Sequence, residues 1–228
     1  MDDDRGGASR RTPLAASEIA VTPVTNAKPP PRSETHERFV PGHYPSELEE
    51  EFEVSTGASL RLRPIRGDDD ERLVAFHQRL SFDSIYRRYF YEHPRLSLDE
   101  VRHLTQVDYV DRLALVVEDG EELVAVGRYD RSPNTTTAEV AFVVRDDYQH
   151  LGLGHRLLDT LTDAAWARGI TTFSAETLYT NRDMMSLFRH SGHTLTTSVS
   201  RGEISVRFSI DPGERDESLA PPKTVSSD

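Results

Sequence analysis

Hydrophobic and polar residues alternate along several stretches of the chain with the period of two that is typical of half-buried strands. The first such stretch covers residues 60–63, and Pro64 ends its alternation. A strongly apolar run at residues 113–117 predicts a second strand, and Asp119-Gly120 after it predicts a hairpin turn. Further strands are predicted at residues 123–127, 135–144, 171–178, 195–199 and 203–210.

Four other stretches carry the three-and-four spacing of amphipathic helices. The first places Leu73, Phe76, His77 and Leu80 on one stripe, and the second begins at a capping box formed by Ser97 and Glu100. Residues 154–168 and 181–190 predict two more helices, each followed by a glycine that ends it. The element order is therefore β-α-α-β-β-β-α-β-α-β-β. It predicts a mixed α/β fold with a mostly antiparallel sheet flanked by helices.

Proline content suggests where the folded part of the chain lies. Prolines and charged residues are frequent before residue 58 and after residue 210, and apolar residues are few there. Such composition cannot bury enough apolar surface to fold. We expect a disordered, proline-rich, acidic segment at 1–57, a folded domain at 58–210, and a disordered acidic tail at 211–228. Within the first segment, the charged residues 46–53 predict a short helix.

Composition excludes several classes of protein. The net charge of −12 argues against a nucleic-acid partner, which would need a basic face. The mean hydropathy is −0.57, and no apolar run approaches the roughly 18 residues of a membrane span. The acidic start shows no secretory signal, so we expect a cytoplasmic protein. The absence of cysteine excludes disulfides and thiolate chemistry, and no set of His, Asp and Glu has metal-ligand spacing.

The junction after the strand at 135–144 carries the strongest chemical signal. Val143 and Val144 lead into a turn with Gly152 and Gly154, and a helix opens there. The first amides of a helix lack intrahelical partners and lie at the positive end of the helix dipole. Glycines let a pyrophosphate approach such amides closely, so the junction predicts an anion cradle. It lacks the Lys-Ser/Thr of a P-loop and the third glycine of a dinucleotide fingerprint.

The six residues from Gln149 to Gly154 match the Gln/Arg-x-x-Gly-x-Gly/Ala signature of the GNAT superfamily of acetyl-CoA-dependent N-acetyltransferases. Because of this match and of the element order, the chain resembles this superfamily over essentially all of residues 58–210. Within it, the chain is most similar to the catalytic domain of bacterial Pat-type protein lysine acetyltransferases. Residues 62–65, 79–90, 104–109 and 138–147 carry that likeness.

The resemblance implies acetyl-CoA as co-substrate, no metal, and a protein with an exposed lysine as acceptor. The main chain of Phe142, Val143 and Val144 would pair with the pantetheine arm, and Asn181 would hydrogen-bond that arm. The amides that would hold the pyrophosphate belong to Gln149, His150, Leu151, Gly152, Leu153, Gly154 and His155.

Glu139 lies in the family position of the general base. A lysine amine with a pKa of about 10.4 is protonated at neutral pH and must lose a proton before attack. A carboxylate in an otherwise apolar strand would have a raised pKa and could accept that proton. Without the resemblance, the simpler interpretation is that Glu139 faces solvent.

Phe188 stands where many superfamily members have the tyrosine that protonates the leaving thiolate. Tyr179 or water could serve instead, so the general acid stays unassigned. We expect His193 on the surface, and His77 as a core residue with its hydrogen bonds satisfied. His150 and His155 flank the cradle and either touch phosphate or face solvent.

Three functions follow from these observations. The first is acetyl transfer to a protein lysine, and the second is the same chemistry on a small amine. The third is a non-catalytic acyl-CoA-binding sensor, for which the missing tyrosine would be a symptom of lost activity. The sequence does not identify the acceptor, the preferred acyl chain or the oligomeric state.

Overall fold

The computed structural model describes residues 42–216, which form one eight-stranded sheet with five α-helices. The predicted disorder at residues 1–41 and 217–228 lies outside the described residues. The strands are β1 Glu50–Glu53, β2 Ser59–Pro64, β3 Arg112–Asp119, β4 Glu122–Arg131, β5 Thr137–Val144, β6 Thr172–Leu178, β7 Leu195–Ser200 and β8 Glu203–Ser209. The helices are α1 Asp70–Gln78, α2 Phe82–Tyr89, α3 Leu98–Thr105, α4 Leu153–Ala167 and α5 Arg182–Arg189.

The sheet has the strand order β1-β2-β3-β4-β5-β6-β8-β7, and every neighbouring pair is antiparallel except β5 and β6. A parallel pair needs a crossover connection, which α4 supplies. The mixed, mostly antiparallel α/β class predicted from the sequence is confirmed. The Asp119-Gly120 hairpin and the Ser97 capping box lie where the sequence places them.

The two faces of the central strands pack against different helices. Gly127 of β4 faces α4, since a Cβ there would lie 3.2 Å from Leu157 and 3.0 Å from the ring of Phe142. The neighbouring positions Val126 and Arg128 face the opposite side, towards α1 and α2. This alternation decides which side chains of β4 and β5 can meet.

Two elements were not predicted. Residues 50–53, assigned to a charged helical lead-in, form an edge strand that pairs with β2, because Phe52 opposite Leu60 gives the segment an inward side chain. The ordered domain therefore begins before residue 58. It also continues past residue 210, where Arg215 bonds the carboxylate of Asp159 at 2.6 Å. The second element, α2, is a helix where the sequence showed only an aromatic cluster.

A buried charge cluster fixes the first helix to the sheet. Arg63 is 1 % exposed and forms a two-pronged bond to Asp69, at 2.7 and 2.8 Å, and a bond to Glu118 at 2.9 Å. Arg72 of α1 adds bonds to Glu118 and Asp69. Such charges can be buried because each one meets an opposite charge in hydrogen-bonding geometry.

Candidate functional site

The site begins where two neighbouring strands separate. β5 pairs with β4 from Ala138 to Val144, but with β6 only from Thr137 to Glu139. β6 instead follows β8 along its whole length. Beyond Glu139, the edge of β5 that faces β6 has no strand partner. Its amide and carbonyl groups form a slot that can pair with an extended ligand, as an added strand would.

The cradle predicted from the two glycines lies at the mouth of this slot. Gly152 is the N-cap residue of α4, with φ of +83°, and no side chain caps the helix. His150 also has a positive φ, of 63°. The first amides of a 15-residue helix are therefore open to an anion, at the positive end of the helix dipole.

Slot and cradle join in one cleft with a volume of about 980 Å³, including its open mouth. Helices α2 and α5 form the other walls, with Arg87, Arg88 and Leu187. The predicted cofactor residues that line the cleft are Phe142, Val143, Val144, Gln149, His150, Gly152, Leu153, Gly154, His155 and Asn181. Leu151 does not line it, because its side chain packs against the hydrophobic core.

Asn181 is 6 % exposed and caps helix α5. Its side-chain oxygen accepts a hydrogen bond from the amide of Met184 at 3.2 Å. The oxygen is therefore engaged, and the amide nitrogen is the group that can donate to a ligand in the cleft.

The loop before the cradle is braced by side chains that the sequence analysis did not single out. The carboxylate of Asp146 accepts bonds from the Ser81 amide at 3.0 Å, the Ser81 hydroxyl at 2.7 Å and the Ser84 hydroxyl at 2.9 Å. Burial acts to raise the pKa of Asp146, but these bonds outweigh it and hold the pKa below its usual value. Asp146 thereby joins α2 to the loop.

Gln149 acts within the same brace. Its side-chain nitrogen donates to the carbonyl of Val144 at 3.1 Å and to the hydroxyl of Ser84 at 3.3 Å. Arg145 closes the other side with a two-pronged bond to Asp147, at 2.7 and 2.9 Å. The turn between β5 and α4 is therefore held from both sides before any ligand binds.

Glu139 lies at the point where β5 and β6 part, on the rim of a smaller cavity next to the cleft. Its side chain is exposed, whereas Ala138 and Val140 on either side are buried. The apolar environment expected from the sequence is therefore absent, because strand neighbours point to the opposite face of the sheet. Arg87 and Arg88 line the same cavity, so it is not acidic throughout.

The structure corrects two histidine predictions and clarifies the missing tyrosine. His193 is not on the surface: it is 5 % exposed and stacks on Phe208 at 5.3 Å. His77 is buried as predicted, but its Nε2 has no hydrogen-bond partner. Phe188 is fully buried between Phe142 and Phe208, and Tyr179 is exposed and does not line the cleft.

Residues 42–216 contain no group of three or more His, Asp or Glu side chains placed to hold a metal ion. Within the same range, none of the helices has the length and apolar character to cross a bilayer.

The match to a family model defines the class of protein. A model described as the acetyltransferase (GNAT) family matches residues 77–193, which run from the end of α1 to just beyond α5 and include both walls of the cleft. The chain belongs to the acetyltransferase (GNAT) family.

Comparison with individual proteins shows which members of this family the chain resembles. The GNAT domain of S. lividans PAT is 37% identical with a TM-score of 0.69, and the match covers 73% of this chain and 99% of that domain. Acetyltransferase Pat of Mycolicibacterium smegmatis is 35% identical over 144 residues, which are 61% of this chain and 43% of the relative. An acetyltransferase of Pseudomonas aeruginosa is 33% identical, over 59% of this chain and 74% of the relative. The chain thus spans less than half the length of the M. smegmatis relative.

The brace around Asp146 can be tested by exchanging Asp146 for Asn, which keeps its size and removes its charge. We expect a loss of about 1 kcal/mol in the free energy of unfolding, since charge-assisted bonds at an exposed site are lost. The pKa of Asp146 is lowered in the folded state. Its contribution is therefore complete above the ordinary carboxyl pKa of about 4 and fades as the pH falls further.

Chemical unfolding of both proteins between pH 7 and pH 3 measures this difference. Asp68→Asn is the matched control, because Asp68 is exposed and lies outside the brace. A difference between wild type and Asp146→Asn that stays constant down to pH 3 would contradict the assigned role of the charge.

Proposed function

We propose that this protein transfers the acetyl group of acetyl-CoA directly to the ε-amino group of a protein lysine, with Glu139 as general base. The observation that carries the proposal is the union of two features in one cleft. An unpaired strand edge runs from Glu139 along β5, and the uncapped amides of α4 follow at its far end. This is the arrangement that a long thioester with a pyrophosphate needs.

The donor would lie along β5 with its two ends held differently. The pyrophosphate would meet the amides around Gly152 and Gly154, and the pantetheine arm would bond the main chain of Phe142 to Val144. The amide nitrogen of Asn181 would donate to the same arm. The thioester would then reach the part of β5 nearest Glu139, where a main-chain amide would polarise its carbonyl.

Glu139 would take the proton of the attacking amine, directly or through one water. The amine nitrogen bonds to the thioester carbon, the carbon–sulfur bond breaks, and CoA leaves as thiolate. The carboxylate accepts the proton that the nitrogen loses. The exposed position of Glu139 fits a base that must return its proton to solvent after each cycle.

The geometry around Glu139 favours a lysine carried by a protein. The carboxylate is exposed and not at the bottom of a deep acidic pocket, and Arg87 and Arg88 line the cavity at whose rim it lies. A small polyamine or another small cation would gain little from such surroundings. Similarity to the GNAT domain of S. lividans PAT points the same way.

Exchange of Gly152 for Ala tests the cradle. At φ of +83° a Cβ is strained, although it would meet no atom within 4 Å. Gly120, in the β3–β4 hairpin, has the same two properties with φ of +58°. Each variant should lose roughly 1–2 kcal/mol of stability from this strain. Only Gly152→Ala should also weaken the binding of acetyl-CoA, by about tenfold or more, as measured by calorimetric titration. Equal affinities in the two variants would argue against the cradle.

Exchange of Glu139 for Gln tests the base. We expect kcat to fall by about 10²–10⁴-fold, the usual range for loss of a general base, with little change in the dissociation constant of acetyl-CoA. Thiol release from acetyl-CoA in the presence of a lysine-containing protein extract measures turnover. Glu203→Gln, an exposed carboxylate on β8, is the control. Unchanged turnover in Glu139→Gln would remove Glu139 from the mechanism.

The same assay separates the three functions when it is repeated with a panel of small amines. Protein-dependent release supports the lysine acceptor. Release with small amines alone would replace it by a small-molecule acetyltransferase. Binding of acetyl-CoA without any release would indicate a sensor.

A further inference from the structure

A second cavity lies behind the cleft that would hold the acyl-CoA donor, called the donor cleft below. It lies between α1, α2, α3 and the face of β4 and β5 that is turned towards them. Its volume is about 460 Å³, including its open mouth. Most of its lining is apolar: Ile65, Leu73, Phe76, Leu80, Leu104 and Val126. Tyr89 and three basic side chains, His77, Arg88 and Arg128, also line it, and no Asp or Glu among residues 42–216 does.

Arg128 enters this cavity with part of its charge unmatched. The residue is 5 % exposed, and its Nε donates to Asp130 at 3.2 Å. Asp130 also accepts a bond from Arg112, at 3.0 Å, so one carboxylate serves two guanidinium groups. The Nη2 atom of Arg128 is buried and has no hydrogen-bond partner among the described residues. Such a group is costly to leave unpaired.

His77 and Arg88 are the other two basic side chains that line this cavity. The Nε2 atom of His77 is buried without a hydrogen-bond partner in the described part of the chain. Arg88 has only the ring of Tyr89 as a described partner, 5.2 Å from its guanidinium carbon. Three hydrogen-bond donors or cations thus line one small, largely apolar space, which is the composition of a carboxylate-binding site.

The cavity lies close to the position that the acyl end of the donor would take. Arg128 lies opposite Ala141 in the β4–β5 pairing, two residues past Glu139. Val143 lines both this cavity and the donor cleft. Arg88 lines both of these and also the cavity beside Glu139. The acyl end of a thioester that lies along β5 would therefore sit next to Arg88 and Arg128.

We propose that Arg128, Arg88 and His77 form a subsite for a carboxylate at the far end of the acyl chain, so that the protein accepts a short dicarboxylic acyl-CoA such as succinyl-CoA. This inference rests on the proposed acyl transfer. The guanidinium group of Arg128 would hold the carboxylate, and the carboxylate would accept a hydrogen bond from the unpaired Nη2 atom. The narrow space admits a slender acyl chain.

The transfer step forms and breaks the same bonds as transfer from acetyl-CoA. The lysine nitrogen bonds to the thioester carbon, the carbon–sulfur bond breaks, Glu139 takes the proton, and CoA leaves as thiolate. The distal carboxylate takes no part in bond making. It stays on the product, which becomes an amide that carries a negative charge.

The experiment compares the binding of three donors to the full chain by calorimetry. Succinyl-CoA and butyryl-CoA have acyl chains of equal carbon number that end in a carboxylate and a methyl group, and acetyl-CoA is the reference. We expect wild type to bind succinyl-CoA about tenfold more tightly than butyryl-CoA, as a charge-assisted two-pronged bond would give. Arg128→Met should abolish this preference, and Arg88→Met should reduce it.

Arg95→Met provides the matched control, because Arg95 is exposed and lines neither cavity. Circular dichroism melting checks that each variant is folded. If Arg128→Met does not fold, Arg88→Met and His77→Gln test the subsite independently. Their loss of preference against an unchanged Arg95→Met would support the proposal.

Two results would overturn the proposal. In one, wild type binds succinyl-CoA no more tightly than butyryl-CoA. In the other, Arg128→Met leaves donor preference unchanged but raises KM for acceptor peptides with acidic residues beside the lysine, which would assign the carboxylate to the acceptor. Failure of the proposed function is a separate result, since wild type would then bind acetyl-CoA without transfer to any amine.

Discussion

The donor cleft exists because β5 and β6 pair over only a short part of their length. They are parallel and share only the positions from Thr137 to Glu139, after which each strand follows its antiparallel neighbour. A parallel pair requires a long crossover, and here α4 provides it, beginning within nine residues of the end of β5. One constraint therefore places an unpaired strand edge next to an uncapped helix start. Full pairing of the two strands would close the cleft.

The sequence predicted the local structure of this region well because its residues are consecutive. The strand at 137–144, the two glycines and the helix after them form one local unit with its own turn chemistry. The other walls come from segments that no local pattern connects. Helix α2 buries only Ser84 and Ile85 and is fixed by Ser81 bonding to Asp146, 65 positions away. Strand β1 has one inward aromatic residue and depends on β2 for its pairing.

Side-chain environments were harder to predict than elements, for a physical reason. Glu139 has apolar neighbours along the chain, but in a strand those neighbours face the other side of the sheet. Its environment comes from Asp130, its partner on β4, and from the arginines of α2. His193 shows the reverse case, a polar residue after a helix that is buried by stacking on Phe208 of β8. Both depend on strand register, which one sequence leaves open.

Register also determines which guanidinium groups lie on the same face of the sheet as Glu139, the proposed base. Arg112, Asp130 and Glu139 are cross-strand neighbours on β3, β4 and β5, on the face that also carries Arg128. Asp130 bonds both Arg112 and Arg128, so it offsets part of the positive charge on the face that carries Glu139. Within residues 42–216, Glu139 itself forms no ion pair among those described. A carboxylate locked to arginine would be a poor proton acceptor. Asp130 therefore acts as the counter-ion of both arginines, which leaves the carboxylate of Glu139 available for its proposed role.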